Sequence, residues 1–410
     1  MESFKKLGLS DKIIQALQDA GFTEPTEIQE KVIPLAIAGH DVIGGAATGS
    51  GKTLAFGADI LDKISKTENN GVQALIIAPT RELSEQIAVS LQKFSRYLHV
   101  RIAAIYGGVS YQPQIRALGR ADIVVGTPGR LLDHIREGTL RLNKLKFLVL
   151  DEADRMLDMG FIDDMNKIIE QCPKDRQTLL LSATMSPEIA HLARKYMKEQ
   201  MVVDAVKHVD PSKLKQIFYD TPQDMKFSLL LHLLKNEKQE LVMVFCNTRR
   251  NADLVASNLK RYEIHALAIH GGLSQNKRSN TLDMFHEKNV RVLICTDVAA
   301  RGLDIKGVSH VYNYDIPKNS KEYLHRIGRT ARAGAEGMAI NIVSANDYQN
   351  FREVMRDDKI NIELVDMPVA EKVAVSFKRR ESEYGQRSYR GRDNDRGRGY
   401  GRSSGRGRRY

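Results

Sequence analysis

The stretch DVIGGAATGSGKTLAFGADILDKI, residues 41–64, decides the fold. An apolar strand candidate (Asp41–Gly45) leads into the glycine-rich loop 46–53, and a helical stretch (Leu54–Ile64) follows. Glycines let backbone N–H groups converge on an anion, and the helix N-terminus adds a positive dipole. The stretch therefore predicts a phosphate-binding loop in an α/β sheet.

The loop reads Ala46-Ala47-Thr48-Gly49-Ser50-Gly51-Lys52-Thr53. We expect Lys52 to reach the β- and γ-phosphates of a nucleotide and the Thr53 hydroxyl to ligate Mg²⁺. The strict phosphate-loop pattern has glycine at the position of Ala46, so a chance glycine-rich turn is the alternative.

A second motif, which is acidic, supplies the groups for hydrolysis that a phosphate loop lacks. The apolar run Lys146–Leu150 ends at Asp151 and Glu152, which places both acids at the carboxyl end of a buried strand. There Asp151 is expected to hold Mg²⁺, usually through water, and Glu152 to orient and deprotonate the attacking water. Acid pairs after strands are common, so the prediction depends on their pairing with Lys52 and Thr53.

Positive charge for the transition state is expected from residues 325–332, His-Arg-Ile-Gly-Arg-Thr-Ala-Arg. If these residues form a helix, Arg329 and Arg332 are three apart and aim the same way. Facing the phosphate loop across a cleft, they would be arginine fingers. A solvated basic helix face is the alternative.

Short apolar runs alternate with helical stretches such as Arg81–Phe94 and Pro187–Met197, which predicts parallel sheets wrapped by helices. The strand candidates are Asp41–Gly45, Gln73–Ala78, Arg101–Tyr106, Asp122–Gly126, Lys146–Leu150, Gln177–Leu181, Gln216–Tyr219, Leu241–Phe245, Ile264–Ile269, Arg291–Cys295, Val308–Asn313 and Gly337–Val343. We predict a first α/β domain over 1–207, a linker over 208–213, a second domain over 214–368 and a disordered tail over 369–410. The two domains suggest a duplicated architecture.

The net charge of +11 is concentrated at the end of the chain. Residues 378–410 hold twelve Lys or Arg and four Asp or Glu, together with repeated Arg-Gly pairs and scattered tyrosines. Such a segment cannot bury enough apolar surface to offset its ordering entropy, so it is predicted to be disordered. Its charge indicates a polyanionic partner, with a solubilising tail as the alternative.

The composition excludes several classes of protein. No apolar run approaches the ~18 residues of a membrane span, and the N-terminus has no signal-peptide pattern. Cys172, Cys246 and Cys295 match no disulfide or zinc spacing. We therefore expect a cytoplasmic protein without membrane contact.

The motifs together resemble the DEAD-box RNA helicases (superfamily 2) from Phe4 to about Pro368, beginning with Asp151-Glu152-Ala153-Asp154, the sequence that names the family. Further matches are 21–29 (the Q motif, with Phe4 upstream), 79–83, 107–108, 127–130, 182–184, 245–248, 275–278, 296–304 and 325–332. The resemblance implies two tandem RecA-like parallel-sheet domains, ATP and Mg²⁺ as cofactors, and RNA as the partner.

The resemblance also assigns nucleotide-binding residues. It makes Phe4, Phe22 and Gln29 contacts of the base, loop residues Ala46 to Thr53 the phosphate cradle, and Asp304 a ribose contact. From the residues alone, Thr26 to Gln29 equally fits a helix capping box. Asp304 equally fits an ordinary loop acid.

The resemblance places two further groups of residues. Ser182, Thr184, His325 and Arg326 are implied to couple the nucleotide to RNA. The implied RNA contacts are Pro79, Thr80, Arg81, Gly108, Thr127, Pro128, Gly129, Arg130, Gly271, Arg278 and Thr296. Thr80 and Thr127 are also good helix N-caps, and the glycines could simply form turns.

This chain departs from the family pattern in two places. Ala47 replaces a frequent glutamine in a cradle that uses backbone groups, and Ala331 replaces a frequent glycine beside Arg332. The second change makes the role of Arg332 depend more on local geometry than that of Arg329.

The expected function is RNA-stimulated ATP hydrolysis coupled to local, sequence-independent unwinding of RNA duplexes. Two alternatives stay open: a DNA helicase of the same superfamily, and an ATP-gated RNA clamp or annealing factor with little unwinding. The tail is expected to add nonspecific RNA binding through arginine–phosphate contacts.

Overall fold

The computed structural model describes residues 1–45, 50–67, 71–204, 214–237, 239–300, 305, 307–331 and 336–377. They form two α/β lobes, lobe 1 over residues 1–204 and lobe 2 over residues 214–377. The predicted linker (208–213) and the basic segment from residue 378 lie outside the described residues. In the part of the chain that is described, no helix is long and apolar enough to cross a membrane.

Lobe 1 contains a seven-stranded parallel sheet with helices on both sides. Its strands are β1 (Val42–Gly45), β2 (Ala74–Ile77), β3 (Ile102–Ile105), β4 (Ile123–Gly126), β5 (Phe147–Leu150), β6 (Gln177–Ser182) and β7 (Met201–Asp204). Its helices are α1 (Glu2–Lys6), α2 (Asp11–Asp19), α3 (Glu27–Ile37), α4 (Lys52–Ser65), α5 (Arg81–Phe94), α6 (Tyr111–Leu118), α7 (Pro128–Arg136), α8 (Ala153–Asp158), α9 (Ile162–Glu170) and α10 (Pro187–Tyr196).

Lobe 2 is built in the same way. Its strands are β8 (Leu214–Asp220), β9 (Leu241–Phe245), β10 (Ala266–Ile269), β11 (Val292–Cys295), β12 (Val308–Asn313), β13 (Gly337–Val343) and β14 (Glu363–Leu364). Its helices are α11 (Lys226–Asn236), α12 (Arg249–Arg261), α13 (Gln275–His286), α14 (Asp297–Ala300), α15 (Ser320–Ile327) and α16 (Tyr348–Met355).

The two sheets have identical topology. The strand order is β3-β4-β2-β5-β6-β1-β7 in lobe 1 and β10-β11-β9-β12-β13-β8-β14 in lobe 2. Strand by strand, the second order is the first shifted by seven. The predicted duplicated α/β architecture is confirmed, although the sequence contains no literal repeat.

The apolar runs form strands because both faces of each sheet are covered. In β2, Ala74 and Ile76 pack into one core of lobe 1, whereas Leu75 and Ile77 pack into the other. Strands buried on both faces read as continuous apolar runs rather than as alternating patterns. All twelve strand candidates are strands, with ends that differ by at most two residues.

The sequence did not predict two strands, β7 and β14. They are corresponding edge strands of the two sheets. In β7 three of the four residues are exposed, and both residues of β14 are exposed. β7 has only three consecutive apolar residues and β14 has one, so neither forms the apolar run of four or more residues that indicates a strand.

The packed unit ends later than the predicted domain end at Pro368. Val373 and Val375 pack against the core of lobe 2, and the Tyr262 hydroxyl donates to the Ala374 carbonyl. The Val373 N–H donates to Ser228 Oγ at 3.0 Å. The compact unit therefore runs to Val375. The sequence obscured this because the two valines are separated by one small residue and preceded by charged ones.

We expect a chain that ends at Pro368 to be less stable in lobe 2 than one that ends at Phe377. The shorter chain loses two partly buried valines and two hydrogen bonds, together about 2 kcal/mol. For a lobe of this size the loss lowers the Tm by roughly 4–8 °C. Differential scanning calorimetry of both truncations beside the full chain measures this. Equal Tm values for both truncations would mean that residues 369–375 do not contribute to the fold.

Candidate active site

The predicted catalytic residues come together because their strands are neighbours. Lys52, Asp151 and Ser182 follow or end β1, β5 and β6, which are adjacent in the sheet of lobe 1. Parallel strands present all their carboxyl ends at one edge, where such sheets bind ligands. The order of the strands in the sheet therefore determines which residues meet at the site.

The phosphate loop enters α4 through a glycine that no other residue could replace without strain. Gly51 has φ +90°, in the left-handed region, and a Cβ added there would lie 2.3 Å from Gln29 Nε2. Lys52 and Thr53 then begin the helix, where backbone N–H groups point outward without intrahelical partners. Ala46, Ala47, Thr48 and Gly49 lie outside the described residues.

Lys52 and Asp151 form a buried charge pair across the carboxyl edge. Lys52 Nζ lies 3.8 Å from Asp151 Oδ1, and the side chains are only 7% and 2% exposed. Burial raises the pKa of Asp151 to about 6, while the positive charge of Lys52 opposes the rise. Asp151 Oδ1 accepts no hydrogen bond from the described residues. A buried carboxylate oxygen of this kind favours a cation as its partner.

The residues present fit Mg²⁺. The Asp151 carboxylate and the hydroxyl of Thr53, which follows Lys52 in α4, offer hard oxygen donors, which this ion prefers. No group of three or more His, Cys, Asp or Glu suited to a metal occurs among the described residues. Mg²⁺ bound by one or two protein groups and by substrate phosphates needs no larger cluster.

Glu152 is held in an unusual backbone conformation. Its φ is +52°, and its buried carboxylate accepts a hydrogen bond from Arg155 Nη1 at 2.5 Å. A left-handed non-glycine residue costs about 1–3 kcal/mol and persists only where its surroundings fix it. The chain therefore turns at Glu152, between the end of β5 and the start of α8.

Asp154 connects the acidic motif to residues 182–184. Its Oδ2 accepts hydrogen bonds from the backbone N–H and the hydroxyl of Thr184, both at 3.0 Å. Ser182 Oγ in turn donates to the Thr184 carbonyl at 2.7 Å. The structure thus brings both hydroxyls of the predicted coupling motif to the strand end that carries Asp151 and Glu152.

Gln29 belongs to the capping box that the spacing allowed. Its Oε1 accepts from the Thr26 N–H at 3.0 Å, and its Nε2 donates to the Gly51 carbonyl at 3.0 Å. The Thr26 hydroxyl donates to the Ser50 carbonyl at 2.8 Å. The N-terminus of α3 therefore holds the backbone of the phosphate loop. The reading of adenine by Gln29 stays a prediction.

Phe4 lies in the core of lobe 1, and its contact with a nucleotide stays a prediction. Phe4 is 0% exposed and packs in the core of lobe 1, because α1 turns its only aromatic ring inward. Phe22 is half-buried and meets the Phe94 ring edge-on, with centroids 5.7 Å apart.

The RNA-side motifs of lobe 1 combine helix N-termini with a glycine turn. Thr80 caps α5 by accepting from the Leu83 N–H at 3.3 Å, and Arg81 follows as its first residue. The Arg81 guanidinium covers Gly108, where an added Cβ would lie 2.0 Å from Nη1. The buried Pro79 precedes Thr80.

Residues 127–130 form the second helix start of lobe 1. Thr127 is the N-cap of α7 and Pro128 its first residue. A Cβ added to Gly129 would meet nothing within 4 Å, so the backbone there is open. Arg130 Nη1 donates to the Val109 carbonyl at 3.3 Å.

Lobe 2 repeats the first of these arrangements. Thr248 caps α12 by accepting from the Asn251 N–H at 3.1 Å, and the Arg249 guanidinium lies against Gly271, 3.3 Å from the position of an added Cβ. Thr296 is buried and precedes α14, which follows β11. Gly271 and Thr296 were predicted from the sequence, but Arg249 was not. Arg249 is recognised because lobe 2 repeats the topology of lobe 1.

The prediction that residues 325–332 form one helix is wrong. α15 ends at Ile327, so Arg329 lies beyond it and only Arg326 belongs to it. Arg326 is 1% exposed and binds both carboxylate oxygens of Asp297 at 2.7 Å, as well as Asn247 Oδ1 at 2.7 Å. The helix stops because Gly328 follows and because this network fixes Arg326 inside lobe 2. Arg326 thus joins three motifs of one lobe.

Arg329 is also buried. It is 3% exposed, and its Nε donates to the His325 carbonyl at 3.3 Å. His325 and Arg329 line one small cleft with Asp297 and Ala300. Arg332 and Asp304 lie outside the described residues.

Among the described residues, two ion pairs connect lobe 1 with lobe 2. Arg278 Nη2 of α13 lies 2.8 Å from Glu82 Oε1 of α5, and both side chains are largely buried. Lys321 Nζ of α15 lies 2.8 Å from Asp158 Oδ1 at the end of α8. The predicted RNA contact Arg278 therefore has a partner in the opposite lobe. Neither pair could be predicted from sequence, because each joins residues more than 150 positions apart.

Two buried sheets of this topology, with a phosphate loop on one lobe and a buried arginine motif on the other, define a two-lobed nucleotide-hydrolysing enzyme. The DEAD/DEAH box helicase family model matches residues 26–192, and the helicase conserved C-terminal domain model matches residues 225–334. The chain belongs to the DEAD-box ATP-dependent RNA helicases.

Individual relatives support the assignment. The ATP-dependent RNA helicase CshA of Listeria monocytogenes is 47% identical over 370 residues, which cover 90% of this chain and 71% of the relative. CshA of Geobacillus kaustophilus is 45% identical over 370 residues, 79% of its length. Among solved structures, S. cerevisiae Dbp5 bound to RNA and ADP BeF3 matches with TM-score 0.80 and 31% identity, covering 90% of this chain and 96% of that one. The match confirms the tandem RecA-like fold.

We expect Gln29→Glu to remove one of the two hydrogen bonds of the Gln29 side chain. A carboxylate still accepts from the Thr26 N–H, but it cannot donate to the Gly51 carbonyl and buries a negative charge beside that oxygen. ADP affinity should fall about fivefold, since a lost hydrogen bond between neutral groups costs about 1 kcal/mol, and the Tm should fall because the buried charge is unpaired. Gln29→Ala should also lower both.

Fluorescence titration with ADP and thermal unfolding measure the two effects. Ser186→Ala is the matched control, because it removes the N-cap of α10, about 1 kcal/mol, without touching the phosphate loop. Unchanged ADP affinity in Gln29→Glu would show that the contact with Gly51 does not shape the loop.

Proposed function

We propose that the chain couples RNA-stimulated ATP hydrolysis to local separation of short RNA duplexes. The observation that carries the proposal is the division of the site: Lys52, Asp151 and Glu152 are buried at the edge of lobe 1, whereas Arg329 is buried in lobe 2. Only a closed pair of lobes brings all four to one triphosphate.

In lobe 1, Lys52 binds the phosphates, and Asp151 and Thr53 would hold Mg²⁺. Bound there, Mg²⁺ would neutralise charge on the β- and γ-phosphates. Glu152 takes the proton of the attacking water, and Arg155 fixes the Glu152 carboxylate in place. Gln29, Phe22 and Asp304 are proposed to select the adenosine part of ATP.

Lobe 2 supplies the charge that stabilises the transition state. Arg329, with Arg332 as a second finger, faces the phosphate that is being transferred when the lobes close. Such a group raises the rate by about 10³–10⁵. Hydrolysis would therefore depend on closure, and closure on RNA.

RNA is proposed to lie across the helix N-termini of both lobes. Arg81 and Arg130 of lobe 1, and Thr296 and Gly271 of lobe 2, would contact its backbone without reading its bases. Contacts with 2′-hydroxyls would favour RNA over DNA. The relative Dbp5 was solved with RNA and a nucleotide analogue together, which supports simultaneous binding.

The nucleotide and RNA sides are linked through two contacts. Thr184 binds Asp154, next to the catalytic acids, and Glu82 follows Arg81 and binds Arg278 of the other lobe. ATP-driven closure would thus tighten the RNA side, bend the bound strand and displace its partner. We also propose a cytoplasmic location, which cell fractionation tests.

Arg329→Ala should lower kcat at saturating RNA by about 10³-fold or more, because the charge that develops on the phosphate loses its partner. ATP binding in the absence of RNA should change little, since lobe 1 alone holds the phosphates. A steady-state ATPase assay with single-stranded RNA, beside a strand-displacement assay, measures both.

Arg352→Ala serves as the control, because Arg352 is an exposed arginine of α16 outside the site. Normal turnover in Arg329→Ala would refute the shared pocket. Normal RNA-stimulated turnover of the wild type without any strand displacement would favour the RNA clamp instead.

Removal of residues 378–410 should weaken RNA binding and leave kcat at saturating RNA within about twofold. The segment carries eight of the eleven net positive charges, so its loss should also flatten the dependence of affinity on salt. RNA titrations of the full chain and of a chain ending at Phe377, at several salt concentrations, measure this.

A full-length variant with lysine at each arginine of 378–410 separates charge from guanidinium geometry. It should keep the salt dependence and lose part of the affinity. A fall in kcat that more RNA does not restore would place the tail in the catalytic machinery.

A further inference from the structure

One aromatic ring joins the two RNA-side segments of lobe 1. Tyr111, the first residue of α6, stacks on the His134 imidazole with centroids 4.1 Å apart and planes 8° apart. The Arg130 guanidinium carbon lies 5.2 Å from the centroid of the same ring. Arg130 and His134 are four residues apart on α7 and therefore share a face, which Tyr111 covers.

The ring restricts Arg130. The Arg130 side chain is only 14% exposed, although it belongs to a motif expected at the RNA surface. It is held between the Tyr111 ring and the Val109 carbonyl, which accepts from Nη1. Arginine has much rotamer freedom, and a guanidinium ordered before binding loses less of it on contact with phosphate.

His134 ties the same ring to the glycine turn. It is 0% exposed, and its Nε2 lies 3.2 Å from Gln114 Oε1. Gln114 Nε2 donates to the Tyr106 carbonyl at 2.9 Å, immediately before Gly107 and Gly108. A chain of contacts thus runs from α7 through α6 to the turn.

The charge state of His134 suits this position. Burial lowers the pKa of His134, and the neighbouring Arg130 lowers it further. At neutral pH the imidazole is uncharged and does not repel Arg130. The Thr139 hydroxyl, 2.8 Å from Nδ1, completes its hydrogen bonding.

The Tyr111 hydroxyl contributes nothing to these contacts. Its oxygen is buried and has no hydrogen-bond partner among the described residues. Tyr111 therefore acts on Arg130 through its ring and not through its hydroxyl, and phenylalanine should replace tyrosine without loss.

We infer that Tyr111 and His134 are positioning residues for RNA, which hold Arg130 and the Gly107–Gly108 turn in the geometry that binds the RNA backbone. The inference rests on the proposed function. It assigns RNA affinity, rather than catalysis, to two side chains that need not touch RNA.

The test compares Tyr111→Leu with Tyr111→Phe in the full chain, by ATPase assays that vary single-stranded RNA and ATP separately. Tyr111→Leu should raise the RNA concentration for half-maximal activity about tenfold, the loss of one cation–ring contact. The kcat at saturating RNA and the KM for ATP should stay within about twofold. Tyr111→Phe should match wild type.

A double-mutant cycle asks whether Tyr111 acts through Arg130. In an Arg130→Ala background, Tyr111→Leu should cost clearly less RNA affinity than it does alone, because only its effect through the turn remains. Full additivity would overturn the inference. Phe351→Leu is the matched control, because it opens a ring pair with Phe218 in lobe 2, centroids 4.8 Å apart, and should leave the RNA requirement unchanged.

Several further outcomes would contradict the inference or the proposed function. An unchanged RNA requirement in Tyr111→Leu, an equal loss in Tyr111→Phe, or a fall in kcat alone would each overturn the inference. If thermal unfolding shows that Tyr111→Leu does not fold, Tyr111→Met keeps more volume without a ring and carries the same expectation. A wild type whose ATPase ignores RNA would refute the proposed function itself.

Discussion

Parallel pairing of the strands is the constraint on which the rest of the structure depends. Because each strand runs in the same direction, each carboxyl end opens at one edge, and each following loop enters the same space. Lys52, Asp151 and Ser182 meet there although 130 residues separate the first from the last. The same order in lobe 2 places Arg249, which follows the N-cap Thr248, against Gly271, as Arg81, which follows the N-cap Thr80, lies against Gly108.

Pairs of buried charges fix the positions of functional side chains in both lobes. Lys52 with Asp151, Glu152 with Arg155, and Arg326 with Asp297 are all ion pairs removed from solvent. Removing one member of such a pair leaves the other uncompensated, which costs several kcal/mol. The pairs therefore fix side-chain positions more firmly than they stabilise the fold. The pair between Glu82 and Arg278 extends this logic across the two lobes.

The sequence predicted what depends on local pattern and failed where tertiary partners decide. Buried strands and the residues after them were predicted, because apolar runs and glycine loops are local signals. The edge strands β7 and β14 are too short to give such a signal. Arg326 and Arg329 are the same residue type three positions apart, and only the position of Asp297 makes the first a structural anchor. The burial of Phe4 follows from the packing of α1, which no local pattern indicates, while its contact with a nucleotide stays a prediction.

The backbone of Glu152 has a consequence for the evolution of such an enzyme. Glycine would adopt its left-handed conformation with less strain but would leave the buried Arg155 without its partner, so a sequence selected for folding alone would replace both residues. The acid and the conformation are compatible only because Arg155 and the start of α8 enforce them. At this position the demands of durability and of turnover oppose each other, and engineering for thermal resistance that ignored the chemistry would select an inert protein.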